Sequence, residues 1–68
     1  MNTVICKDYI VDQWIVLQVD GLPLSSLEYY AKVIEVGKSY LKLEVPFYRS
    51  TLTHFLHDGQ EVTTIRKD

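Results

Sequence analysis

Hydrophobic and polar residues alternate most regularly in residues 29–46, YYAKVIEVGKSYLKLEVP. In the second half of this segment, Leu41, Leu43 and Val45 share one parity, and the residues between them are polar or aromatic. A period of two is typical of a strand with one buried face and one exposed face. Residues 37–39 (GKS) form a turn signal between the two halves. The segment therefore predicts a β-hairpin, with Pro46 ending it because proline cannot donate to a strand ladder.

The first half of the hairpin, within residues 27–36, changes its alternation midway. Ala31 and Val33 occupy one face, whereas Ile34 and Val36 have the opposite parity. A β-bulge near Ile34 and Glu35 would restore the apolar residues to one face. The alternative is that Ile34 and Val36 are apolar residues exposed on the sheet. Both interpretations remain open from the sequence.

The rest of the chain predicts further strands and one helix. Residues 3–6, 14–19 and 61–66 are rich in β-branched or aromatic residues. Residues 50–57 predict a short helix, since Leu52, Phe55 and Leu56 are spaced i, i+3 and i+4. The chain is thus expected to be mainly β, a small five-stranded antiparallel barrel or bent sheet, SH3-like or Sm-like, with one helix near residues 50–57.

Composition limits the classes of protein to which the chain can belong. Its 68 residues, 47% hydrophobic and 24% charged, allow one small folded domain over residues 1–68. A formal net charge of −2 argues against nucleic acid as a ligand, because phosphate binding needs a concentrated basic face. No apolar run is long enough to cross a membrane, and no signal peptide is recognisable. The single cysteine suits a reducing compartment, so we expect a cytoplasmic protein.

Few residues have the spacing of a catalytic or metal site. His54, His57 and Asp58 could share a metal ion if they lay one helical turn apart, but histidines near a helix end more often interact with the helix dipole. Cys6 has no activating neighbour except Lys7, and a lone cysteine in a β-rich run is usually a packing residue. The sequence therefore predicts no catalytic residue, no metal, no cofactor and no enzyme activity.

Aromatic residues are the most distinctive candidates. Exposed tyrosine and tryptophan are typical of interface centres, because they combine apolar area with a polar tip. In a small β domain the same residues also serve as core or cross-strand pairs, and aromatic platforms can bind single-stranded nucleic acid. The candidate protein-interface residues are Trp14, Tyr29, Tyr30, Tyr40, Phe47 and Tyr48.

Residues 20–64 resemble the small N-terminal barrel of PilZ-associated flagellar-brake (YcgR-like) proteins. The resemblance lies in the strand-turn-strand that ends at Pro46 and in Gly59-Gln60 before the last strand. It implies a PilZN-like barrel used as an adaptor. The family's cyclic di-GMP motif, an arginine pair followed by a short turn motif, belongs to a second domain, and Arg49 and Arg66 lack its spacing. The resemblance therefore implies no cyclic di-GMP binding.

These observations favour a non-enzymatic protein-interaction or regulatory adaptor module. The alternative is a small nucleic-acid-binding barrel of the Sm or OB type, oligomeric through its edge strands. A protein partner is expected and a membrane partner is not. A homo-oligomer stays open from the sequence.

Overall fold

Seven β-strands make up most of residues 2–68, which is the part of the chain that this computed structural model describes. A short 3-10 helix, Cys6–Asp8, follows the first strand. The strands are β1 (Asn2–Thr3), β2 (Trp14–Gln18), β3 (Tyr29–Val36), β4 (Tyr40–Phe47), β5 (Ser50–His57), β6 (Glu61–Val62) and β7 (Thr64–Lys67).

Five of these strands form one antiparallel sheet in the order β5-β4-β3-β2-β7, and β1 pairs with β6 in a separate small sheet. The predicted five-stranded antiparallel sheet is therefore confirmed, and it is open. The barrel is wrong, because β5 and β7 do not pair and remain two edges of the sheet. After β5 the chain turns at Gly59 towards β1: Gly59 N–H donates to the Val4 carbonyl and Val4 N–H to the Gln60 carbonyl.

The predicted helix near residues 50–57 is wrong, because this segment is strand β5. It pairs with β4 along its whole length, from Phe47 opposite Ser50 to Tyr40 opposite His57. A two-residue turn at Tyr48 and Arg49 reverses the chain, so residues 50–57 lie against β4. The apolar residues whose spacing predicts a helix lie on two faces of this strand. Leu56 is buried in the core, whereas Phe55 points to the opposite face.

The β-bulge in β3 is confirmed. Pairing with β4 passes from Val33 opposite Leu43 to Glu35 opposite Lys42, which leaves Ile34 without a partner. The extra residue shifts the parity of everything after it, so the end of β3 again directs its apolar residue to the core.

Other predicted boundaries move by a few residues. Pro46 does not end the hairpin, since β4 continues to Phe47 and Pro46 lies opposite Thr51 of β5. The predicted strand 61–66 is divided at Thr63, where the chain leaves the small sheet and joins the large one. The predicted strand 3–6 ends after Thr3.

The core lies against one face of the large sheet, which we call the inner face. Strands β2 to β5 supply most of it, and the N-terminal segment, the loop after β2 and β6 cover it from the other side. The largest fully buried side chains are Val4, Cys6, Ile15, Leu17, Val33, Leu41, Leu43, Val45, Leu56 and Val62.

Candidate interaction surface

The opposite, outer face of the large sheet carries exposed aromatic residues. Residues directly opposite each other in neighbouring strands share a face. Val16 lies opposite Tyr30 on one side and Arg66 on the other, and Trp14 is two positions from Val16 on the same face. Trp14 is 43% exposed and Tyr30 is 60% exposed, whereas Val16 between them is buried. We call Trp14, Val16 and Tyr30 the aromatic patch.

Charged residues of both signs surround the aromatic patch. Lys32 lies opposite both Trp14 and Glu44, and its ammonium is 3.5 Å from the Asp12 carboxylate. On the other side, Arg66 Nη1 donates to a Glu28 carboxylate oxygen at 2.8 Å. This hydrogen bond lowers the pKa of Glu28 and raises the pKa of Arg66. The patch is thus an apolar centre with a charged rim, the arrangement found in protein interfaces.

A shallow groove of about 370 Å³ lies on the same side of the sheet, near the β3–β4 turn. Its aromatic walls are Tyr40 and Phe55, with ring centroids 6.2 Å apart, and the Lys42 ammonium is 5.8 Å from the Phe55 centroid. The Tyr40 hydroxyl donates to the Glu35 carboxylate, and this hydrogen bond raises the pKa of Tyr40. A Cβ atom on Gly37 would overlap the Tyr40 ring, so glycine leaves space for that ring.

The tip of the β4–β5 hairpin presents a further aromatic residue. Tyr48 is 88% exposed and has a φ of +56°, a left-handed conformation that non-glycine residues rarely adopt. Its ring meets that of Phe47 edge to face. The ring centroid of Phe47 is in turn 5.9 Å from that of Tyr29.

The six predicted interface residues fall into three groups. Trp14, Tyr30 and Tyr40 lie on the outer face. Tyr29 and Phe47 belong to the inner face, where Tyr29 is buried and Phe47 packs against the core. Tyr48 lies at the hairpin tip. Phe55 is 50% exposed on the outer face but was not among the predicted interface residues, because the spacing of residues 50–57 predicts a helix with Phe55 on its apolar side.

The two histidines do not lie together. His54 lies opposite Leu43 on the inner face, and His57 lies opposite Tyr40 on the outer face, so the strand separates them. Desolvation lowers the pKa of His54, whose Nε2 is buried without a hydrogen-bond partner among the described residues. Residues 2–68 contain no group of three histidine, cysteine or acidic residues placed to hold a metal ion.

Cys6 is buried, and Asp58 contributes to its environment. The backbone N–H of Cys6 donates to Asp58 Oδ1 at 2.9 Å. Burial raises the pKa of the Cys6 thiol, and the nearby Asp58 carboxylate raises it further. A buried thiol with a raised pKa is a poor nucleophile, so this position has the properties of a packing residue.

Comparisons with known proteins identify no relative, since no protein-family model, no curated protein and no solved structure matches this chain. The resemblance to YcgR-like barrels therefore stays a prediction. Within residues 2–68, no helix has the length and apolar character needed to cross a membrane.

Proposed function

We propose that this chain is a non-enzymatic protein-interaction module that binds a protein partner through the aromatic patch of Trp14, Val16 and Tyr30. One observation carries this proposal: the outer face has no second layer within residues 2–68, yet it exposes a tryptophan and a tyrosine on adjacent strands, both next to Val16. Tryptophan, tyrosine and arginine are the residues most enriched at the energetic centres of protein interfaces.

The charges around the patch favour a protein partner over a nucleic acid. Along the outer face, lysine and glutamate alternate across strands, with Lys32 opposite Glu44 and Lys42 opposite Glu35. A phosphate backbone would meet carboxylates at each of these pairs, whereas a protein surface can offer charges of both signs. The single cysteine, Cys6, suits a reducing compartment, so we propose that the module is cytoplasmic.

The experiment compares the double variant Trp14→Ser/Tyr30→Ser with the wild type in affinity purification from nuclease-treated lysate. Leu24→Ser is the matched control, because Leu24 is 57% exposed on the loop after β2, next to Tyr29 of the inner face. A partner found with wild type is then produced recombinantly, and its affinity for all three purified proteins is measured by calorimetry.

We expect one stoichiometric protein partner whose binding survives nuclease treatment. This partner should bind the control with wild-type affinity and the double variant at least tenfold more weakly. Circular dichroism establishes that the double variant is folded. Equal affinity for the double variant would contradict the proposal. Bound material that disappears with nuclease would favour the nucleic-acid alternative instead.

A further inference from the structure

Strand β5 is a long, uncharged edge of the sheet. It spans eight residues, Ser50–His57, and pairs only with β4 among the described residues. The opposite edge, β7, has four residues and includes Arg66 and Lys67. Proteins usually protect a sheet edge by making it short or charged, since an unpaired edge can pair with another chain. β7 has this protection, and β5 does not.

The pairing of β4 shows which backbone groups of β5 are free. Gly37 N–H donates to the Tyr40 carbonyl, so the backbone groups of Tyr40 point towards β3. His57, opposite Tyr40, therefore directs its own backbone groups away from β4, and every second residue of β5 does the same. These outward-directed residues are Thr51, Thr53, Phe55 and His57.

One of these four residues already has partners. His57 N–H donates to Gln60 Oε1 at 2.9 Å, and its carbonyl accepts from Gln60 N–H at 3.0 Å. Within residues 2–68, the outward-directed groups of Thr51, Thr53 and Phe55 have no backbone partner. The free row therefore consists of three residues arranged symmetrically about Thr53.

We propose that β5 pairs antiparallel with β5 of a second copy of this chain, with the twofold axis at Thr53. Thr53 then lies opposite Thr53 of the other copy, and Thr51 lies opposite the other Phe55. Each of these residues pairs through both its N–H and its carbonyl, so all the free groups of the row are used. The result is a continuous ten-stranded sheet across the dimer.

Neighbouring registers fit less well. A shift of the pairing by one residue would place outer-face side chains opposite inner-face ones. An axis at His54 would keep the faces matched but would pair Thr51 with His57, whose backbone groups are already bonded to Gln60.

The side chains favour a second copy as the occupant of this edge. No acidic residue, lysine or arginine lies within Ser50–His57, so two copies bring no permanent like charges together along this strand. On the outer face the new pairs are threonine with threonine and threonine with phenylalanine, which are favourable cross-strand neighbours. This inference is independent of the protein-binding function proposed for the aromatic patch.

The first test measures mass by sedimentation equilibrium over a range of protein concentrations. We expect a monomer–dimer equilibrium in the wild type, and we expect Thr53→Lys to weaken it at least tenfold by placing two ammonium groups at the axis. Thr63→Lys is the matched control, because Thr63 is exposed and lies outside β5. The monomer–dimer equilibrium of this variant should equal that of the wild type. A monomer at all concentrations would overturn the proposal, as would a Thr53→Lys dimer as strong as the wild type.

The second test fixes the register by disulfide cross-linking with copper phenanthroline, in a Cys6→Ala background. Thr53→Cys should link two chains, because residues opposite each other in a hydrogen-bonded pair have Cα atoms about 5.5 Å apart, within disulfide range. Thr51→Cys is the control, since the two Thr51 positions would be roughly 13 Å apart along the strands. Linking through Thr51→Cys but not Thr53→Cys would contradict this register.

Discussion

Phe47 and Tyr48 meet edge to face at the tip of the β4–β5 hairpin, with ring centroids 4.5 Å apart and planes at 67°. Tyr48 has a φ of +56°, and its side chain is 88% exposed. The first central position of a two-residue hairpin turn with positive φ is normally glycine. The hairpin tip therefore keeps a large aromatic residue where backbone geometry favours glycine.

Tyr48 can be tested by comparing Tyr48→Gly with Tyr48→Ala. Both variants lose the ring contact with Phe47, but only glycine adopts a positive φ without a steric penalty. We expect Tyr48→Gly to be more stable than Tyr48→Ala by about 1 kcal/mol in urea unfolding. Equal stabilities would mean that the backbone at this turn relaxes when the ring is removed.

The alternation in the sequence was sufficient to predict much of the sheet. The β3–β4 hairpin follows from parity, because side chains on a strand must alternate between two faces. The change of parity at Ile34 allowed a bulge but did not distinguish it from apolar residues exposed on the sheet. β5 could not be assigned in this way. Leu52, Phe55 and Leu56 match the spacing of a helix face, but Leu52 and Leu56 also match one face of a strand. Thr51 and Thr53, on either side of Leu52, favour a strand, and they were the signal that could have decided it.

The candidate surface was predictable only in part, because alternation does not say which face of a strand is covered. Trp14 and Tyr30 are on the exposed face, whereas Tyr29, adjacent in sequence to Tyr30, is buried. Phe55 became a surface candidate only once β5 was known to be a strand. The free edge of β5 depends on pairing between distant segments, and no local pattern in the sequence indicates it.

His54 is expected to make stability depend on pH. Desolvation lowers its pKa in the folded protein from the ordinary value of 6.5, so the unfolded chain binds a proton first as the pH falls. The free energy of unfolding should therefore decrease as the pH falls from 6.5 towards the folded pKa. Urea unfolding at several pH values measures this slope.

The variant His54→Leu should remove that contribution. It also replaces a ring whose buried Nε2 lacks a partner, so we expect a gain of about 1 kcal/mol at neutral pH. His57→Leu is the matched control, because His57 lies on the outer face of the same strand. An unchanged pH slope in His54→Leu would show that other groups cause the dependence.

Asp58 is expected to protect Cys6 from reagents. Its carboxylate accepts the Cys6 N–H and so connects the turn after β5 to the N-terminal segment that covers the core. Asp58→Ala removes this acceptor and should lower the free energy of opening the segment by about 1 kcal/mol. This change corresponds to about fivefold faster labelling of the thiol. The measurement is the rate at which a thiol reagent modifies the folded protein at fixed pH.

Two further variants serve as controls. Asp58→Asn keeps an oxygen acceptor and should label at an intermediate rate, whereas Asp20→Ala, in an exposed turn, should label like the wild type. If Asp58→Ala labels as slowly as the wild type, packing alone keeps Cys6 inaccessible, and the hydrogen bond does not hold the segment in place.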